Sequence, residues 1–223
     1  ESLDTWKSYL TFHAIQSRAA FLPTVFGRQS FAFFGAVLSG AQKPRDRWKR
    51  GVSATNGALG FAVGQLYTAQ YFPASEKARV EAMVANLMAA FAERIDHLDW
   101  MAPSTKTEAK AKLAALKVGV GYPDTWPSYA GLEVVAGDAY GNAERSQRFR
   151  YQGALRRLGQ PVDRSEWVMT PQTVNAVNLP AMNALNFPAA ILQPPYFDPS
   201  RPVSMDYGAE GAIIGHEVSH SFD

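Results

Sequence analysis

Apolar residues recur every three or four positions through much of the first half of the chain, and this spacing predicts helices. The second of three such stripes contains glycines, so its backbone is expected to be looser than that of the third. The third follows a proline and a serine suited to a helix start. The stripes cover residues 3–13, 48–66 and 80–98, with Gly57, Gly60 and Gly64 in the second and Pro73 and Ser75 before the third.

Two further helices are predicted before and after a segment rich in glycine, proline and aromatic residues. Residues 104–116 follow an Ala/Lys/Leu pattern, with Ser104 and Glu108 at their start. Residues 142–158 end before Gly159, which suits a left-handed helix cap. The intervening residues 118–138 contain prolines that exclude a helix interior, so we expect a structured connection with at most a short strand.

The last third of the chain alternates short strands with turns and ends in a helix. Residues 173–178 and 184–187 are predicted to form a hairpin joined by a turn at 179–182. After a proline-rich, extended passage, Ser204 is suited to cap a helix over residues 205–221. Gly208, Gly211 and Gly215 interrupt that helix and each costs about 1 kcal/mol relative to alanine. Close packing, or a need for room beside the helix, would explain them.

These elements predict a mainly α fold with a small β-hairpin or sheet. We divide it into a helical region over residues 1–117 and a second region over residues 118–223. The length of 223 residues and 47% apolar content are sufficient for a buried core. A formal charge of +2 gives no reason to expect a polyanionic partner. The most apolar stretch, residues 31–41, is about half the length needed to span a bilayer.

The chain lacks cysteine, so a thiolate metal site, a disulfide and a cysteine nucleophile are all excluded. Residues 216–220 read His-Glu-Val-Ser-His, and on a helix His216 and His220 project from one face. Two imidazoles so placed can converge on zinc, with an open position for water. Glu217 then lies beside that water and can act as a general base in amide hydrolysis.

The sequence around this motif resembles the neprilysin and endothelin-converting-enzyme family of zinc metallopeptidases, in the clan with thermolysin-like domains. The resemblance covers nearly the whole chain, and its most specific part is the run from Phe187 to Phe197. It implies that residues 118–223 are part of the catalytic region. The matching segments are Val174-Asn175-Ala176, Asn183, residues 187–197, Tyr207-Gly208 and residues 215–223, together with the upstream residues 6–10, 47–50, 103–113, 121–123 and 162–167.

The resemblance implies zinc ligation by His216 and His220, with Glu217 as the catalytic base for hydrolysis of oligopeptides. It also implies that Asn175 and Ala176 belong to the edge strand that binds the peptide substrate. On the residues alone, a turn in which Asn175 bonds its own backbone is the stronger interpretation. Relatives act on extracellular or periplasmic peptides, so that localisation is expected here too.

Two features qualify the resemblance. The family usually has aromatic residues after Asn-Ala, whereas this chain has Val177 and Asn178. The family's third zinc ligand is a glutamate on a later helix, so we interpret the chain as a central fragment that lacks both ends of the enzyme. Such a fragment is expected to bind zinc weakly and to be inactive alone. Asp223 lies on nearly the same helix face as His216 and could orient a ligand histidine, or be a surface acid.

Other classes of function remain as alternatives. A non-catalytic helical module could bind peptides or a protein partner through the edge of the hairpin. The basic clusters at residues 43–50 and 145–157 could contact nucleic acid, although interspersed Asp46 and Glu144 favour solvated helix faces. His13 and His97 lie in helical apolar patterns far from the motif, so neither is predicted to be a metal ligand.

Overall fold

The computed structural model describes residues 1–222, which are mostly helical with one small sheet, as the hydrophobic pattern predicted. A short π-helix, Phe31–Val37, and a 3₁₀ turn, Pro180–Met182, supplement the regular elements. The helices are α1 Leu3–Arg18, α2 Thr24–Ser30, α3 Arg47–Tyr71, α4 Ala74–Asp96, α5 Pro103–Ala114, α6 Ala139–Arg157 and α7 Val203–Ser219, and the strands are β1 Lys117–Gly121, β2 Val177–Leu179 and β3 Ala184–Pro188.

The N-terminal caps of two helices differ from the prediction. Pro73 and Pro202 occupy the N-cap positions of α4 and α7, so Ser75 and Ser204 lie inside the first turns and make no capping hydrogen bond. The fixed φ angle of proline suits a helix entry and replaces the expected side-chain cap. The end of α6 is as predicted, because Gly159 adopts a left-handed φ of 74°.

The chain forms two compact units. The first contains residues 1–58 and 129–159, and the second contains residues 59–128 and those from 160 onward. The backbone of α3 leaves helical geometry at Leu59, where the chain passes from one unit to the other. The division of the sequence into regions 1–117 and 118–223 is a different one, and it stays a prediction.

Within the first unit, three residues of α6 form polar contacts with other residues of that unit. Arg145 forms an ion pair with Asp138 at 3.0 Å, and Arg18 pairs with Glu144. Arg150 donates to the Gly57 carbonyl at 2.6 Å. Arg145 and Arg150 are thus engaged by groups of the same unit. Of the helices in residues 1–222, none is long and apolar enough to cross a bilayer.

The second unit contains the sheet, whose strand order is β1-β3-β2. The predicted hairpin is present, with β2 antiparallel to β3, and β1 joins it as a parallel strand on the other side of β3. The first hairpin strand is shorter than predicted, spanning 177–179 instead of 173–178. A turn takes the place of its first half, because the Asn175 N–H donates to the Thr173 carbonyl at 3.1 Å.

Every residue of β3 is buried, and this strand runs through the core of the second unit. Apolar residues of α4, α5 and α7 belong to the same core cluster as Leu185 and Phe187 of β3. The end of β1 requires glycine, since Gly121 has a φ of 75° and a β-carbon there would lie 2.4 Å from the Phe72 ring.

Helix α7 has two contrasting stripes, each with a spacing of four residues. One stripe is buried and contains acidic residues in its first half and apolar residues in its second. The other is exposed and ends in the two histidines. Gly208 and Gly215 meet no atoms within 4 Å where a β-carbon would project, so the close packing expected there is not found. The buried stripe is Asp206, Glu210, Ile214 and Val218, and the exposed stripe is Gly208, Ala212, His216 and His220.

An ion pair anchors the first turn of α7. The Asp206 carboxylate is 1% exposed and accepts from Arg201 Nε at 2.7 Å and from the Asp198 N–H at 3.0 Å. Arg201 also donates to the Pro195 carbonyl at 2.8 Å, which joins the helix start to the preceding loop. A carboxylate in the first turn is further stabilised by the helix dipole.

Glu210 follows one turn later and is fully buried. Within residues 1–222, neither of its carboxyl oxygens has a hydrogen-bond partner. Burial raises the pKa of the Glu210 carboxyl to about 8, and the negative charge of Asp206 acts in the same direction. The carboxyl is therefore protonated at neutral pH, in agreement with the high cost of an isolated buried charge.

This burial predicts a stability that falls as the pH rises. The ordinary pKa of glutamate, 4.5, applies to the unfolded chain, so the folded protein holds the Glu210 proton more tightly between pH 4.5 and about 8. Across that window the free energy of unfolding should fall by about 1.4 kcal/mol per pH unit because of this group. In the full-length protein, Glu210→Gln should remove this pH dependence. The difference in the free energy of unfolding between the variant and the wild type, measured by denaturant titration, should therefore shift in favour of the variant from pH 5 to pH 8. Glu81→Gln, at an exposed position of α4, is the control, and an advantage independent of pH would contradict the assignment.

Candidate metal centre

The two histidines of the motif lie together at the end of α7. His216 is in the last turn, and His220 is the C-cap residue. Both side chains are exposed, and their Nε2 atoms are 3.0 Å apart. The imidazole rings are nearly perpendicular, with an interplanar angle of 79° and centroids 4.4 Å apart. The structure thus places the two imidazole nitrogens side by side.

This geometry fits a tetrahedral zinc ion. Two nitrogens at about 2.0–2.1 Å from such an ion are separated from each other by about 3.3 Å. The observed Nε2–Nε2 distance of 3.0 Å is slightly shorter, and small rotations of the two side chains would make up the difference. The donor chemistry fits as well, since imidazole nitrogen is a common zinc ligand. His216 and His220 would therefore hold the ion from one side.

The position of the pair at a helix C-terminus also favours a cation. The aligned peptide dipoles place a partial negative charge at that end of α7. The last carbonyls of the helix contribute to that charge, and they lie beside the imidazoles because His220 is itself the cap residue. The partial negative charge of the backbone thus favours a cation beside the two imidazoles.

Glu217 is adjacent to His216 along the helix and is partly exposed. Its neighbour Val218 is buried and belongs to the core cluster, so the helix cannot rotate about its axis without exposing apolar surface. The packing of Val218 thus fixes the direction in which Glu217 and the histidines project. A carboxylate at this position can accept a proton from a water held near the histidine pair.

The proposed substrate residues precede β2 directly. Asn175 is exposed, whereas the Ala176 side chain is only 8% exposed and belongs to the core. The backbone N–H of Asn175 donates to the Thr173 carbonyl at 3.1 Å. β2 itself is an outer strand of the sheet, and its middle residue Asn178 contacts α7.

The two histidines that were not predicted to be ligands make contacts with residues of their own helices. Asp223 lies outside the described residues. His97 caps the end of α4, where its Nδ1 lies 2.8 Å from the Glu93 carbonyl, and His13 stacks on Tyr9 within α1. In the part of the chain that the structure describes, no group of three or more His, Asp or Glu side chains is placed to hold a metal.

Two side chains make contacts at the end of α7 that were not anticipated from the sequence. The Asn178 amide donates to the Glu217 carbonyl and to the Ser221 hydroxyl, both at 2.8 Å. Lys112 of α5 donates to the Ser221 carbonyl. The sequence did contain a signal for Asn178, since the family usually has an aromatic residue there. It contained none for Lys112, because that contact joins residues more than a hundred positions apart. Glu210 was also missed, although it lies four residues before Ile214 on the buried stripe.

The mainly helical fold with a small mixed sheet, and the histidine pair one turn apart on a helix beside the sheet's outer strand, are typical of the class of thermolysin-like zinc metallopeptidases. The comparisons with known proteins make this class specific. Two sequence profiles, both described as peptidase family M13, match residues 1–123 and 175–223. The chain belongs to peptidase family M13, which includes the neprilysins and endothelin-converting enzymes.

Similar proteins occur in animals and bacteria. An endothelin-converting enzyme homolog of Locusta migratoria is 33% identical over 97% of the chain, which covers 30% of that protein. Neprilysin-3 of Drosophila melanogaster is 34% identical over 98% of the chain, or 29% of its own length. The crystal structure of the zinc metalloprotease Zmp1 of Mycobacterium tuberculosis with an inhibitor has 45% identity and a TM-score of 0.92, covering all of this chain and 33% of that one. The chain thus spans about a third of these relatives.

Removal of either histidine tests the metal centre. His216→Ala and His220→Ala in the full-length protein should each lower zinc affinity by orders of magnitude, because one imidazole remains where two converge. Zinc content after dialysis, measured by elemental analysis, provides the readout. His97→Ala is the matched control, and it should retain zinc at the wild-type ratio. A zinc content unchanged by both motif substitutions would place the metal elsewhere.

Proposed function

We propose that this chain forms part of a zinc-dependent endopeptidase that hydrolyses peptide bonds of oligopeptides. The observation that carries the proposal is the 3.0 Å approach of His216 and His220 Nε2 at the end of α7, with Glu217 between them in sequence. Membership of family M13 and the similarity to a zinc metalloprotease of known structure support it. The ligand role of the two histidines and the base role of Glu217 are parts of the proposal.

Glu217 has two tasks in the reaction. Its carboxylate accepts a proton from the attacking water, and that proton can then pass to the leaving amine as the peptide bond breaks. Zinc, when bound, polarises the peptide carbonyl and makes the water more acidic. The exposed face of α7 carries small residues before the histidines, which leaves room for a substrate backbone beside the helix.

The outer strand of the sheet is the proposed binding edge for the peptide. β2 pairs with β3 along one side, and within residues 1–222 no further strand pairs with its other side. An extended peptide can add to such an edge through backbone hydrogen bonds. Asn175 and Ala176 lie at the start of this edge, where the exposed Asn175 amide can both donate and accept. A periplasmic or extracellular location is proposed from the family resemblance.

The base assignment predicts a separation of metal binding from catalysis. Glu217→Gln in the full-length protein should keep zinc but reduce kcat for a quenched fluorescent peptide by orders of magnitude, because the amide cannot accept the proton. The same substitution at Glu210, seven residues earlier on α7, is the matched control and should leave hydrolysis near the wild-type rate. Hydrolysis by Glu217→Gln at a near wild-type rate would exclude Glu217 as the base.

The isolated 223-residue chain is predicted to bind zinc weakly and to lack peptidase activity. Catalytic zinc sites of this class use three protein ligands, and the family resemblance implies that the third is on a later helix. Chelator competition should show markedly weaker zinc binding by the isolated chain than by the full-length protein. Peptide hydrolysis by the purified chain that survives Glu217→Gln would reflect a contaminant, whereas hydrolysis lost with that substitution would contradict the prediction.

A further inference from the structure

The end of α7 leaves one carbonyl without its usual helical donor. After Ser219 the hydrogen bonding tightens, so that the Ser221 N–H donates to the Val218 carbonyl at 3.1 Å and the Phe222 N–H to the Ser219 carbonyl at 2.8 Å. In a regular α-helix the Ser221 N–H would instead bond the Glu217 carbonyl. The shortened turn therefore exposes the carbonyl of the proposed catalytic base to another donor.

Asn178 supplies that donor. Its Nδ2 lies 2.8 Å from the Glu217 carbonyl oxygen and 2.8 Å from Ser221 Oγ. The two acceptors lie on either side of His220 in sequence. A single amide group thus holds both ends of the short turn on which the second histidine is placed.

The amide is itself held on a rigid element. Asn178 is the middle residue of β2 and pairs with Leu185 of β3, which is fully buried in the core. Lys112 also reaches this turn, but it contacts the Ser221 carbonyl from a long and flexible side chain. The short side chain of Asn178 is therefore the more precise of the two contacts.

We propose that Asn178 is a positioning residue, whose amide fixes the turn carrying Glu217 and His220 and so maintains the separation of the two imidazoles. The proposal rests on the proposed zinc peptidase function. Groups that orient metal ligands without touching the metal commonly change affinity by about 10- to 100-fold when they are removed. The contact also links the proposed peptide-binding strand to the metal helix, since Asn178 lies three residues after Asn175.

The test compares two substitutions in the full-length protein that each remove an amide from a helix end. Asn178→Leu has a similar volume and adds no charge. Gln193→Leu is the matched control, because the Gln193 amide donates to the carbonyl of Tyr71, the last residue of α3, at 3.0 Å. The measurements are the zinc dissociation constant by chelator competition, kcat and KM for a quenched fluorescent peptide, and the melting temperature.

Asn178→Leu is expected to weaken zinc binding by about tenfold or more and to lower kcat, with KM within about twofold of wild type. Gln193→Leu is expected to lower the melting temperature without either effect. Equal zinc affinity and kcat in the two variants would overturn the proposal and leave Asn178 a purely structural residue. If Asn178→Leu fails to fold, Ser221→Ala removes one of the two acceptors, and unchanged zinc affinity and kcat in that variant would also overturn it.

The wild-type protein separates this proposal from the function on which it rests. Absence of zinc from the wild type, or hydrolysis that survives Glu217→Gln, would overturn the zinc peptidase function and the positioning role with it. Zinc binding and Glu217-dependent hydrolysis in the wild type, together with an Asn178→Leu variant indistinguishable from Gln193→Leu, would overturn the positioning role alone.

Discussion

The packing of α7 on the core of the second unit determines the direction of every candidate catalytic group. Ile214 and Val218 are buried at a spacing of four residues, so the histidines, offset by two positions, must project from the opposite face. The helix is also anchored at both ends, by the Arg201–Asp206 ion pair at its start and by the Asn178 amide at its finish. Rotation or sliding of α7 would break polar contacts and expose apolar surface together. The geometry of the histidine pair is thus a consequence of the core packing.

The same buried stripe contains a residue that opposes stability. Glu210 occupies a position where an apolar side chain would normally lie, and burial raises the pKa of its carboxyl to about 8. Protonation avoids the largest cost, that of an isolated buried charge, but leaves polar atoms in a largely apolar environment. The adjacent Asp206 keeps its charge partner, Arg201, so the two carboxyls of one helix face are accommodated in different ways. The buried stripe of α7 therefore combines apolar packing in its second half with two buried carboxyl groups in its first half.

Local pattern predicted most of the helices and the histidine pair, because both depend on residues three or four apart. The predicted starts of α4 and α7 were wrong. Serine and proline both suit a helix start, and here Pro73 and Pro202, not the nearby serines, occupy the N-cap positions. The parallel pairing of β1 with β3 was not foreseen, since it joins residues more than sixty positions apart and has no local signature. The amide of Asn178 belongs to the same category. Its acceptors lie about forty residues later, and only the fold brings them together.

At residue 178 the chain has asparagine where the family resemblance leads one to expect an aromatic residue. An aromatic residue, which the family resemblance leads one to expect there, would fill the space beside α7 mainly by apolar contact. Asparagine fills less space but satisfies the Glu217 carbonyl that the shortened turn releases. Hydrogen bonds depend more steeply on angle and distance than apolar contacts do. An amide at this position therefore restricts the turn carrying His220 to a narrower range of positions than packing alone would.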